Sequence, residues 1–319
     1  MKGGLFAALL CLGLTLAAAP NPEKIAGVKA GKTDTAYASW WGFREEDSAE
    51  ILQAAINSGA KKVVIDYTGK DWITGKTLIL PSNLELVIAD KVTVKAKRGA
   101  FKGLGDSLFK APGSRNTTIR GEGSAKLMMN RKDYEDKTKY RLGEWRHIIY
   151  LQGVTDFTIR DILLTGSGGD GIYVGAGIQP YCKNLHIENV TADDGNRLGI
   201  AIISAEDLLI RNCRFIRTAG ASPAGGLDFE PNRPVERLVN CIVENCLFEN
   251  HCLTCEGWEG DTYAGRPWYP LFSSYPEKSG FFADCTGAFP ALCNRGDGPL
   301  GNAPSLVSGL RAWSILPPA

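Results

Sequence analysis

One phrase recurs through the middle of this chain and limits what it can fold into. It reads Phe157-Thr-Ile-Arg-Asp161-Ile, then Leu185-His-Ile-Glu-Asn189-Val, then Leu208-Leu-Ile-Arg-Asn212-Cys, then Cys241-Ile-Val-Glu-Asn245-Cys. Each copy alternates apolar and polar residues, which gives a strand with one buried face. Each copy then reaches Asp or Asn, whose short side chain favours a bend. Positions 161, 189, 212 and 245 lie 28, 23 and 33 residues apart. Short strands repeating at 20–50 residues mean a solenoid. With no helix in the repeat, the expected fold is all-β, a single-stranded parallel β-helix. Asn189, Asn212 and Asn245 are expected to form an amide ladder along the inside of one bend. Cys213 and Cys246 follow the ladder position and read as small apolar residues in one inward column.

Each central repeat has a second strand. These read Gly171-Ile-Tyr-Val-Gly175, Gly199-Ile-Ala-Ile-Ile203 and Gly226-Leu-Asp-Phe-Glu230. Aligned on the first glycine, the inward columns are Ile172, Ile200 and Leu227, and Val174, Ile202 and Phe229. The outward column is Tyr173, Ala201 and Asp228.

The N-terminal segment is of a different kind. Residues 1–19 read as a secretory signal: Lys2, an apolar run from Leu5 to Leu16, then Ala17-Ala18-Ala19. The apolar run is too short to favour a membrane span. The expected location is secreted or periplasmic. Residues 20–66 read as an extended lead-in followed by a cap. Within them, Glu46–Gly59 is expected to be a helix capped by Asp47 and Glu50, closing the open end of the solenoid. The strand Lys61–Asp66 follows. The solenoid is expected over 67–250, with a charged loop at 130–146 that leaves it.

Residues 251–319 break the pattern. They hold eight of the 16 prolines, four of the nine cysteines, one isoleucine and one valine. Paired inner strands need β-branched residues and reject proline. The tail therefore reads as irregular: a disulfide-bonded cap or arm, or the product of a shifted reading frame. The sudden change of composition at 250 favours the second.

These phrases resemble a known group. The helix-then-strand opening over 47–65 is similar to the N-terminal cap of the pectin-lyase-like right-handed parallel β-helix superfamily. Glu144-Trp-Arg-His147, Gly168-Gly-Asp-Gly-Ile172, Asp193-Asp-Gly-Asn-Arg197 and Gly226-Leu-Asp-Phe-Glu-Pro-Asn232 resemble phrases of secreted bacterial β-helix proteins assumed to act on polysaccharides. The resemblance implies a right-handed fold and a glycan substrate. It does not fix the reaction, because the superfamily hosts hydrolases, lyases, epimerases and esterases. The full set of polygalacturonase motifs and the Asp-Pro-His-Asp phrase of alginate epimerases are not found in the sequence.

The candidate chemistry lies around the second strands. Equivalent positions on successive turns lie roughly 4.8 Å apart. Asp170, Asp193 or Asp194, and Asp228 or Glu230 are therefore expected near one another on one face. Two carboxylates serve glycoside hydrolysis, one giving a proton and the other attacking or activating water. Asp228 and Glu230 are the first choice, because acidic residues are depleted in strands. Asp170 and Asp194 are further catalytic candidates, although Asp170, Asp193 and Asp194 also read as turn residues. Arg197 is expected to bind a substrate carboxylate or orient an Asp, and Trp145 and Tyr173 to stack on sugar rings. Arg146 and His147 read either as catalytic or as anchors of the loop, and His147 is carried as a substrate-binding candidate beside Asp193.

Two other functions stay open. A polysaccharide lyase would use the same carboxylates to hold Ca²⁺, whereas the hydrolase needs no cofactor. A non-catalytic glycan-binding β-helix would use the face for recognition alone. The net charge of +1 gives no reason to expect a nucleic-acid partner. A monomer acting on a polysaccharide or oligosaccharide, with no membrane span, is the expectation.

Overall fold

The computed structural model describes residues 17–221 and 224–249, and the backbone of 305–307 and 310–312. Three parallel sheets run the length of a solenoid. The first has nine strands, starting at Thr35–Tyr37 and including Arg115–Gly121, Thr155–Arg160, Cys182–Glu188, Ala205–Arg211 and Leu238–Glu244. The second has eight strands and the third has six, including Phe109–Pro112, Ile149–Gln152, Ile172–Gly175, Ile200–Ile202 and Leu227–Phe229. The chain visits the three sheets in turn, so each turn stacks on its predecessor: a right-handed parallel β-helix.

The register is the one the repeated phrase implies. Phe157, Leu185, Leu208 and Cys241 lie opposite one another in sequence order. Ile172, Ile200 and Leu227 align, as do Val174, Ile202 and Phe229, and all six are buried. Cys182, Cys213, Cys241 and Cys246 are buried free thiols, so Cys213 and Cys246 do behave as small core residues.

The amide ladder lies elsewhere than expected. Asp161, Asn189, Asn212 and Asn245 all adopt positive φ, from 52° to 57°. Asn189, Asn212 and Asn245 are exposed, and Asn189 donates to Asp161 at 2.8 Å. The ladder is therefore on the outside of the bend. The inward places beside it belong to apolar residues such as Ile159 and Ile162, and an amide there would have to give up water. A second ladder went unread. Asn83, Asn116, Asp156, Asn184, Asp207 and Asn240 share φ of 50–60° on the first sheet. Asn116 donates to Asn83, Asn184 to Asp156, and Asn240 to Asp207. Asn and Asp tolerate this left-handed backbone because their short polar groups bond locally.

The first turns need two corrections. The lead-in is not extended throughout: Pro22–Lys29 is a helix, with Asn21 accepting from the Lys24 N–H and Pro22 in the first turn. The second helix spans Ala49–Ile56, and Ser48 rather than Asp47 is its N-cap. Asp47 still accepts from the Ala49 N–H, but Glu50 pairs with Lys76 and closes no capping box. Leu52, Ala55 and Ile56 are buried against the core at the start of the solenoid. The expected loop at 130–146 contains a helical turn, Arg131–Tyr134.

Ala17–Ala18 pairs antiparallel with Phe43–Arg44. At the other end, Ser305–Val307 and Leu310–Ala312 pair antiparallel with Cys246–Glu249 and Leu238–Glu244. Most of the expected signal, and the tail expectation apart from those two strands, lie outside the described residues.

Candidate active site

The third sheet and the turns leading into it carry the acidic and aromatic residues. Tyr150, Tyr173, Ala201 and Asp228 align across four neighbouring strands, facing away from the solenoid core. Outward does not mean exposed here. Ala201 and Asp228 have no accessible surface. Leu198, Ala201 and Ile203 form a small apolar cluster outside the main core, with Tyr173 packed against it. Asp228 therefore lies beneath the surface, which corrects the expectation that it projects into an open groove with Glu230.

Arg197 is the centre of the site. Its guanidinium Nη2 lies 2.9 Å from Glu230, its Nε 3.3 Å from Glu144, and its Nη1 3.4 Å from both oxygens of Asp170. The three acids come from three different turns. Burial alone would lower the Arg197 pKa, but Asp170, Glu230 and Glu144 overcome that and raise it above its ordinary value. Its charge is fixed, and its Nη1 faces both carboxylate oxygens of Asp170. Glu144 went unnamed among the candidates, although it opens the phrase Glu144-Trp-Arg-His147.

Asp170 is fully buried beside Arg197 and accepts a hydrogen bond from the Leu198 N–H at 3.1 Å. His147 lies on its other side: the Asp170 N–H donates to His147 Nδ1 at 3.1 Å, and Nδ1 is 3.2 Å from Oδ2. The His147 ring stacks on Tyr173 with centroids 4.8 Å apart, and Tyr150 meets both rings edge-on. His147 is buried, so it supports the tyrosines from below and does not itself reach a ligand, a correction to its expected role in binding substrate. Burial, then the neighbouring Tyr150 and carboxylates, push the Tyr173 phenol well above its usual range. Tyr150 is also raised, chiefly by burial. Both phenols therefore remain protonated hydrogen-bond donors at neutral pH.

Two of the expected carboxylates pair elsewhere. Asp193 forms a two-pronged pair with Arg217, and Asp194 pairs with Arg131 at 2.8 Å. Asp194 sits at φ 56°, so it turns the chain between the second and third sheets. These are corner residues held by arginines, which sets them apart from the Arg197 cluster. Trp145 is about half exposed (48 %) next to Glu144. Among the described residues no group of three or more His, Cys, Asp or Glu side chains could hold a metal ion. Of the carboxylates expected around a calcium ion, Asp170 and Glu230 pair with Arg197, Asp193 with Arg217 and Asp194 with Arg131.

Residues 139–260 match the family described as right handed beta helix region. That span includes every residue of the cluster. No curated protein matches the chain. Among solved structures, a protein of Parabacteroides merdae described as a candidate glycosyl hydrolase is 16% identical, with 60% of this chain and 90% of that one covered and a TM-score of 0.47. An iota-carrageenase complexed to iota-carrageenan fragments is 17% identical, covering 56% of this chain and 40% of that one, with a TM-score of 0.44. A galactohydrolase acting on a sulfated galactose–anhydrogalactose polymer is 18% identical, covering 55% and 42%, with a TM-score of 0.44. The chain thus spans about two fifths of the length of the last two proteins. No helix among the described residues is long and apolar enough to cross a membrane.

Proposed function

We propose that this chain is an exported carbohydrate-active enzyme, a glycoside hydrolase working at Arg197. The observation that carries the reading is one guanidinium joining Glu144, Asp170 and Glu230 from three turns beside the Tyr150–Tyr173 pair. Of these acids, Glu144 and Glu230 keep accessible surface, while Asp170 has none. Contacts of 3.3 and 2.9 Å to one guanidinium bring the two accessible carboxyl groups to the same place, and a pair of neighbouring carboxyl groups is what glycoside hydrolysis uses. Arg197 fixes both acids in place, as a reaction needing aligned groups requires. Trp145, Tyr150 and Tyr173 offer apolar rings with polar edges for sugar faces. The N-terminal signal-like segment supports export.

The test is a product assay on a panel of plant and algal polysaccharides, with and without EDTA, using wild type and Glu230→Gln. New reducing ends, without the ultraviolet absorbance of an unsaturated uronate, are expected from wild type. Glu230→Gln should lower turnover by about 10²–10⁴-fold. Unsaturated products abolished by EDTA would replace the hydrolase with a calcium-dependent lyase. Binding without products, lost in Trp145→Ala, would leave a recognition module.

A further inference from the structure

Arg146, next to the site, is fully buried, and no carboxylate lies against it among the hydrogen bonds and ion pairs of the described residues. Its Nε donates to the Phe101 carbonyl at 2.9 Å, and its Nη2 donates to the carbonyls of Lys102 and Arg141 at 3.2 and 3.0 Å. Its Nη1 is buried without a partner. The guanidinium lies 5.4 and 5.5 Å from the ring centres of Tyr134 and Tyr140, themselves in edge-on contact. A buried cation whose hydrogen bonds all go to backbone carbonyls, with the Asp106 charge acting on it without an ion-pair contact, is costly unless its fixed geometry serves a purpose.

Its sequence neighbours supply one. Glu144 reaches Arg197, Trp145 stands half exposed, and His147 meets Asp170. All three lie within two residues of Arg146, on a strap that crosses from the 130–142 excursion into the third sheet. The opposite surface is shaped to receive it. Arg146 and Gly168 form an antiparallel bridge. A Cβ on Gly168 would lie 2.4 Å from the Tyr134 ring, and one on Gly169 would lie 2.4 Å from the Glu144 carbonyl oxygen. Only glycines let the strap come this close. Asn196 adds hydrogen bonds to the carbonyls of Gly143 and Gly168.

We propose that Arg146 is a positioning residue: by clamping the strap 143–147 onto Gly168–Gly169, it sets Glu144 against Arg197, His147 against Asp170 and Trp145 over the site. It touches no reacting atom. Its catalytic consequence rests on the hydrolase reading given above, whereas the clamp itself does not.

The test uses the full chain in three forms: wild type, Arg146→Met and Gly169→Ala, the last displacing the strap from the opposite side. Hydrogen exchange is followed at the Asp170 amide, bonded to His147, and the Leu198 amide, bonded to Asp170. In both variants these two amides should exchange at least about tenfold faster, while the strands Ile149–Gln152 and Ile172–Gly175 keep their protection. Arg146→Lys, which keeps the charge but loses the fork, should restore only part of it. Unchanged exchange at Asp170 and Leu198 overturns the proposal. So does uniform acceleration across the strands, which would mean a merely structural arginine. Where wild type turns over a glycan, kcat/KM of Arg146→Met should fall by at least about tenfold, and an unaltered value also overturns the proposal. Absence of product from wild type would defeat the hydrolase reading and leave the exchange result to judge the clamp.

Discussion

Replacing Arg197 by methionine isolates the electrostatic heart of the site. The Arg197 side chain is 9 % exposed and holds three acids, of which Asp170 has no accessible surface. Methionine keeps much of the apolar stem and removes the charge. Glu144 and Glu230 can turn toward water, but Asp170 cannot. Breaking a buried pair from one side costs about 3–5 kcal/mol, because the remaining charge is uncompensated. At roughly 2–4 °C per kcal/mol for a domain of this size, the melting temperature should fall by about 6–20 °C. Differential scanning calorimetry at neutral pH reads the fall. The double variant Arg197→Met/Asp170→Asn should lose less than the sum of the single changes. A fall of under about 2 °C, or strict additivity, would refute the account.

Two further outcomes follow from the backbone and the core. Asn116 sits at φ 50°, so Asn116→Gly should leave the urea midpoint nearly unchanged, whereas Asn116→Val should cost about 1–2 kcal/mol. Burial pushes the Cys182 thiol up to about 11 and the Cys241 thiol up to about 12. Peptide mapping after brief alkylation at pH 8 should find both unmodified in native protein and both modified in urea. Because the unfolded thiols ionise first, these groups should reduce stability as pH rises above about 9.

The repeated phrase made the solenoid and its register legible, because a period of two leaves one choice of face for Phe157, Leu185, Leu208 and Cys241. The column of Tyr173, Ala201 and Asp228 was legible for the same reason. Its burial was not, since alternation does not announce the outer apolar cluster that Ala201 forms with Leu198 and Ile203. Asp193 and Asp194 are expected beside Asp170 and Glu230 because they stand before the second strands of successive turns. A corner intervenes, and Arg131 and Arg217, from other parts of the chain, take both carboxylates. The helix Pro22–Lys29 left a readable signal in Asn21-Pro22-Glu23, an N-cap followed by proline and an acid. The ladder from Asn83 to Asn240 was readable too: each member directly precedes a buried residue of the first sheet, Leu84, Thr117, Phe157, Leu185, Leu208 or Cys241. The strap was the least accessible, because a buried arginine held by carbonyls has no sequence spacing to announce it.

The stacking of turns one strand spacing apart gives the molecule a natural unit of length change. The working groups lie between Glu144 and Glu230, and the turns before Phe109 contribute none of them. A whole turn gained or lost in that earlier stretch moves the end of the rod by one strand spacing and leaves the site's internal distances as they were. One residue added within the strands that carry Tyr173 or Asp228 exchanges the inner and outer faces of that strand and dismantles the site. The rod can thus grow or shorten in its early turns while the Arg197 cluster stays as it is.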